Sequence, residues 1–151
     1  MCRGRMRCSA TGMAEPRHPG WAIAAAASAR EGWLFRPQGR GQEGLDCLGL
    51  VLMASAEAGI RLSVPRLPMM GHSRPEVFRR MRELGLREVR LGMAMPGDVL
   101  LAFPATRQAH LGIRTDIGFV EANARLRRVV VRPWLDGAGW HSAWRLCWER
   151  D

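Results

Sequence analysis

The chain has 151 residues, and its 23 basic residues, all of them Arg, outnumber the 14 acidic ones for a formal charge of +9. With 47% hydrophobic and 25% charged residues, the composition is that of a folded domain and excludes a disordered chain, a collagen or a coiled coil. The length suits one compact unit with one core. No apolar run approaches the roughly 20 residues that cross a bilayer, and four Cys are too few for a disulfide scaffold. The Arg residues are scattered (Arg30, Arg61, Arg90, Arg114, Arg145). That distribution predicts a solvated basic surface rather than a nucleic-acid groove, and it also suits attraction to an anionic polymer such as a bacterial wall.

Residues 1–20 are basic, rich in Gly and Pro and without periodicity, and read as a disordered leader; Met13 is an alternative start to Met1. One domain follows over residues 21–151. Its Ala-rich opening (residues 21–29) fits either a short signal-peptide core or a helix, and the strong helix preference of Ala favours the helix. Residues 32–46, with four Gly and one Pro, read as a loop. Asp46 is a good N-cap for a helix over residues 47–58, with Gly59 as its stop. A Pro-bearing loop over residues 63–72 precedes a second helix over 75–84, with Ser73 as cap and Gly85 as stop. From Pro96 the pattern turns to strands, over residues 99–103, 109–114, 119–123, 127–132 and 142–148. Helices followed by an antiparallel meander make an α+β fold, the helices packing on a small sheet.

Cys47 follows the Asp46 cap and so lies in the first turn of a helix. The partial positive charge there favours a thiolate, and the free N–H groups of that turn can hold an oxyanion. Position alone would favour a buried structural Cys, the usual fate of a free Cys; Cys147, in a strand, reads as core. A nucleophile needs a base, and His110 opens an alternating strand on a face shared with Gly112, whose missing side chain leaves room beside the imidazole. If residues 115–118 close a tight hairpin, His110 lies opposite Asn123 and diagonal to Glu121, and either can orient the imidazole. A slip of one residue would turn both away. No Cys-x-x-Cys or His-x-x-x-His pair suggests a metal, and no Gly-rich phosphate loop follows a strand.

These residues stand in a frame that resembles the NlpC-type cell-wall cysteine peptidases. The stretch from Phe35 through Gly39-Arg40 to Gly44-Leu45-Asp46-Cys47-Leu48-Gly49-Leu50-Val51 is similar to their Tyr-x-Trp-Gly-Gly, gap, Gly-Phe-Asp-Cys-Ser-Gly-Leu-Val. Pro96-Gly97-Asp98-Val99, His110-Leu111-Gly112-Ile113 and Phe119-Val120-Glu121-Ala122 resemble, in order, their Pro-Gly-Asp, His-Val-Gly-Ile and Phe-Ile-His-Ala. The likeness runs over residues 21–148. Three positions depart from it: Phe35 replaces Tyr, Leu48 replaces Ser after the nucleophile, and Glu121 replaces the usual third His, with Asn123 as the alternative. Gln38 is a candidate substitute for the lost phenolic donor.

The resemblance implies a papain-like fold and a cysteine endopeptidase that cuts peptidoglycan stem peptides through a thioester. Cys47, His110 and Glu121 are its catalytic residues, and it needs no metal or organic cofactor. The bond it implies is the D-γ-glutamyl–diamino acid amide. The Gly39-Arg40 variant and the short chain look most like the branch found with phage tails and gene transfer agents, with tail-like particle proteins as partners. Without a convincing signal peptide, that branch implies delivery to the wall by a particle or release by lysis. The competing readings are a structural tail component of the same fold and a basic nucleic-acid-binding module.

Overall fold

The computed structural model describes residues 18–62 and 69–147. The Ala-rich opening is the helix α1 (Gly20–Ser28), buried through Ile23, Ala24, Ala26 and Ala27, and its small side chains let it lie along α2 (Cys47–Glu57). Of the expected leader, residues 1–17 lie outside the described residues. His18 and Gly20 belong to the fold: His18 Nε2 is 2.7 Å from the Leu146 carbonyl, and Gly20 opens α1.

Helix α2 begins where the Asp46 side chain accepts the Gly49 N–H at 2.7 Å, and it ends before Gly59, whose φ of +91° is cheap for a residue without Cβ. Helix α3 (Arg74–Glu83) is capped by Ser73 and turns Val77 and Met81 inward. The stretch that reads as a loop before Cys47 contains a two-stranded ribbon, β1 (Arg40–Gly41) paired with β2 (Gly44–Leu45). It lies flat on the start of α2. A Cβ on Gly49 would come 2.0 Å from the Gly39 carbonyl oxygen, and one on Gly39 would come 2.2 Å from the Gly44 oxygen. Neither position admits a side chain.

The main sheet has six antiparallel strands: β3 (Leu86–Val89), β4 (Val99–Ala105), β5 (Gln108–Arg114), β6 (Gly118–Asn123), β7 (Arg128–Pro133) and β8 (Ser142–Leu146). Their order is β3-β8-β4-β5-β6-β7. Strands β4 to β7 form the expected meander. Strand β8 does not continue it but returns to pair with β4 and β3. Its burial explains the place: Ser142, Ala143, Trp144 and Leu146 are all buried, which only a strand flanked on both sides can satisfy. Strand β3 escapes the sequence reading because Arg87 and Glu88 are exposed and only four residues carry the pattern.

The helices cover one face of the sheet. Leu50, Val51 and Ala54 of α2 share a core with Leu101, Leu111, Ile113, Val120 and Trp144. At the start of β4 the buried Asp98 accepts both Nε and Nη2 of Arg145 at 2.9 Å, and also the Met95 N–H at 2.7 Å. This pair staples β8 to the turn before β4. Among the described residues no helix is long and apolar enough to cross a membrane.

Candidate active site

The site forms where α2 points its N-terminus at β5 and β6. Cys47 is the first residue of α2 and is buried, with 6% of its surface exposed. It is the free thiol among the described cysteines; Cys147, read as core, is half-buried past β8 and disulfide-bonded. The Cys47 N–H falls in the first turn, where helix geometry leaves it without an intrahelical acceptor.

Asp46 holds this turn rigid. Its Oδ1 accepts from the Gly49 N–H and from Arg40 Nη1 at 2.6 Å, and its Oδ2 accepts from the Gln38 N–H at 3.1 Å. Both oxygens are therefore engaged within the chain, with Arg40 as the counter-ion. Gln38 contributes through its backbone, held at a φ of +56°. Phe35 packs against the core and bridges to Leu45.

The β5–β6 register is the one that the hairpin length predicts. Ile113 faces Val120 and Arg114 faces Phe119, which sets His110 level with Asn123 when the count is carried along both strands. The recorded ladder stops at Ile113, although both strands run on. In that stretch the His110 side chain, one-quarter exposed, reaches Glu121, with Nε2 at 3.3 Å from Oε2. Asn123 does not take that place. Its Nδ2 donates to the other Glu121 oxygen at 3.0 Å, and Arg132 Nε stands 3.7 Å from the same oxygen.

The Cys47 side chain also acts on the His110 imidazole and favours its charged form. With Nε2 turned to Glu121, Nδ1 is the nitrogen left for the sulfur. Burial alone would push the imidazole toward its neutral form. Cys47 and Glu121 outweigh it and raise the His110 pKa to about 9. Glu121 is held below the usual carboxylate range: burial opposes its charge, but the bond to His110 and its charge, helped by Asn123 and Arg132, prevail. The imidazole thus has two partners, Cys47 and Glu121, and the carboxylate is itself held by Asn123 and Arg132.

Sequence reasoning missed Trp140. Its ring stacks on His110 with centroids 5.7 Å apart and planes 12° from parallel, and Phe119 meets it edge-on at 5.2 Å. The space that Gly112 leaves beside the imidazole is where the indole sits. Trp140 lies between a Gly-rich turn and a strand, and no periodicity marks it. Among the described residues no group of three His, Cys, Asp or Glu is placed to hold a metal ion.

No model of a known protein family matches the chain, and no curated protein matches it in sequence. Solved structures do match. The NlpC/p60 domain of the peptidoglycan hydrolase SagA is 20% identical with a TM-score of 0.57, the match covering 84% of this chain and 98% of that one. The peptidoglycan hydrolase RipB from Mycobacterium tuberculosis is 22% identical with a TM-score of 0.59, over 87% of this chain and 66% of that one. RipD from the same organism, described as a non-catalytic NlpC/p60 domain protein adapted to peptidoglycan binding, is 20% identical with a TM-score of 0.53, over 85% and 97%. At these identities the likeness shows the fold: three helices, a two-stranded ribbon and a six-stranded antiparallel sheet in the α+β arrangement of NlpC/p60 domains.

Proposed function

We propose that the chain is a cysteine peptidase of peptidoglycan stem peptides, with Cys47 as nucleophile, His110 as acid–base and Glu121 as the orienting carboxylate. The observation that carries this reading is a His110 imidazole held by Glu121 and acted on by Cys47, the residue that opens α2 with a free N–H. The Cys47 thiolate attacks a stem-peptide carbonyl and forms a C–S bond, while the Cys47 N–H receives the developing oxyanion. The His110 imidazolium gives its proton to the amide nitrogen, the C–N bond breaks and the amine leaves. Water then attacks the thioester as neutral His110 takes its proton, the C–S bond breaks, and the carboxylic acid leaves with the Cys47 thiolate and the His110 imidazolium restored. The amide proposed is the D-γ-glutamyl–diamino acid link, and no cofactor enters the scheme. The proposed setting is a phage-tail-like or gene-transfer-agent particle that brings the enzyme to the wall.

Digestion of purified sacculi tests the reading through release of new amino groups. Cys47→Ala is expected to lower the rate by more than about 1,000-fold with the fold unchanged, as loss of a covalent nucleophile does. Equal cleavage by the Ala variant would sink the mechanism.

A second reading, a wall-binding or structural component without catalysis, draws on RipD and on Phe35 and Leu48 in place of the polar residues of the pattern. Alkylation separates the two. A thiolate–imidazolium pair predicts rapid modification of Cys47 by iodoacetamide near neutral pH, whereas a structural thiol stays inert.

A further inference from the structure

Gly112 and Trp140 fit each other in a way that bears on His110. A Cβ built on Gly112 would lie 2.6 Å from Trp140 Cη2 and 2.9 Å from Cζ2, far inside contact distance. The tip of the indole therefore rests on bare backbone of the strand that carries His110, two residues along and on the same face. Its flat side covers one face of the imidazole, nearly parallel to it, and Phe119 closes against it at almost a right angle, 87°. The packed rings restrain the imidazole torsion that its two polar partners share. Cys47 on α2 and Glu121 on β6 act on His110 from different elements, so the ring orientation decides whether it can serve both.

We propose that Trp140 is a positioning residue: its indole, seated on the surface left bare by Gly112, holds the His110 ring in the plane that faces Cys47 and Glu121 at once. Its effect on turnover rests on the acid–base role given to His110 above; its effect on the ring itself does not. An orientation fault in an acid–base group lowers the chemical step more than it weakens substrate binding.

Kinetics on sacculi and histidine ring NMR test this together. Trp140→Ala is expected to lower kcat by about tenfold to 100-fold with KM changed less than about twofold. Trp140→Phe, which keeps a flat ring but lacks the six-ring atoms that reach Gly112, is expected within about threefold of the natural kcat. Gly112→Ala should cost about tenfold in the natural chain and less than about threefold in the Trp140→Phe chain, where the indole clash is relieved and only the 3.2 Å approach to the Val120 carbonyl oxygen remains. The His110 ring signals should be sharp in the natural protein and broadened or shifted in Trp140→Ala. A natural kcat in Trp140→Ala, an equal Gly112→Ala cost in both chains, or unchanged ring signals would each overturn the proposal. If the natural protein leaves sacculi intact, the enzymatic reading fails while the ring signals still decide the role of Trp140. If Trp140→Ala does not fold, the Phe chain and its Gly112→Ala partner supply the answer.

Discussion

Two buried carboxylates in the same sheet face cations, and they do different work. Asp98, at the start of β4, meets Arg145 through two bonds of 2.9 Å. The guanidinium cannot release its proton at any ordinary pH, and the bond to Asp98 raises its pKa further despite burial. That pair is a permanent staple. Glu121, at the other end of the β5–β6 ladder, meets an imidazole whose pKa is raised to about 9, where it can still change state. A carboxylate opposite Arg fixes strands; a carboxylate opposite His tunes a proton. The difference lies in the cation and in the neighbour behind it, since the Cys47 side chain also acts on His110.

Breaking the staple should produce the largest change in stability. Asp98→Asn leaves the half-buried Arg145 charge without its counter-ion, at an expected cost of about 3 kcal/mol. Urea unfolding measures it, and the pH response of Cys47 alkylation should stay as in the natural protein. A change in that response would mean that the two pairs are coupled.

Removing the charge at the other pair should act mainly on chemistry. Glu121→Gln is expected to slow sacculus cleavage by about tenfold to 100-fold, because the imidazole loses the partner that orients it and favours its charged form. In the natural protein the rate should fall as pH rises through about 9, where His110 loses its proton. In the variant that fall should begin at lower pH. An unshifted profile would remove Glu121 from the site.

The same shift predicts a stability profile. The folded pKa of His110 lies above its ordinary value of 6.5. The stabilisation is therefore complete below about pH 6.5 and is lost as pH rises through about 9. Its size is at most about 3 kcal/mol, the span between the two pKa values converted to energy. Urea midpoints taken near pH 6 and near pH 10 should differ more in the natural protein than in Glu121→Gln. The smallest effect belongs to a cap remote from both pairs. The Ser73 hydroxyl accepts the Glu76 N–H at 3.4 Å, and Ser73→Ala should cost about 1 kcal/mol in thermal or urea unfolding with cleavage untouched.

Much of the fold and of the site is written locally. Asp46 before Cys47 marks a capped helix start because a side-chain oxygen satisfies an N–H three residues on, and short-range geometry alone decides that. Loop length sets the β5–β6 register, so the hairpin at residues 115–118 already aligns His110 with Asn123 and places Glu121 on the His110 face. The three helices and four of the five expected strands keep their order for the same reason, each having its own period and its own stops.

What the chain does not show along its length is long-range choice. The sequence shows neither that β8 crosses to the far side of β4 nor that β3 pairs beyond it, since pairing among distant strands depends on which faces remain to be buried. It does not rank Glu121 against Asn123 for the imidazole. In the fold Glu121 Oε2 stands 3.3 Å from His110 Nε2, while Asn123 donates to the other Glu121 oxygen and braces it. It does not pair Arg40 with Asp46 or seat Trp140 on Gly112, since those contacts join segments that only packing brings together. The sequence by itself determined the capped cysteine, the strand that carries His110 and the register of that strand with β6. Tertiary structure alone decided which partners hold that histidine, because hydrogen bonds and ring stacks depend on distances across elements and not on spacing along the chain.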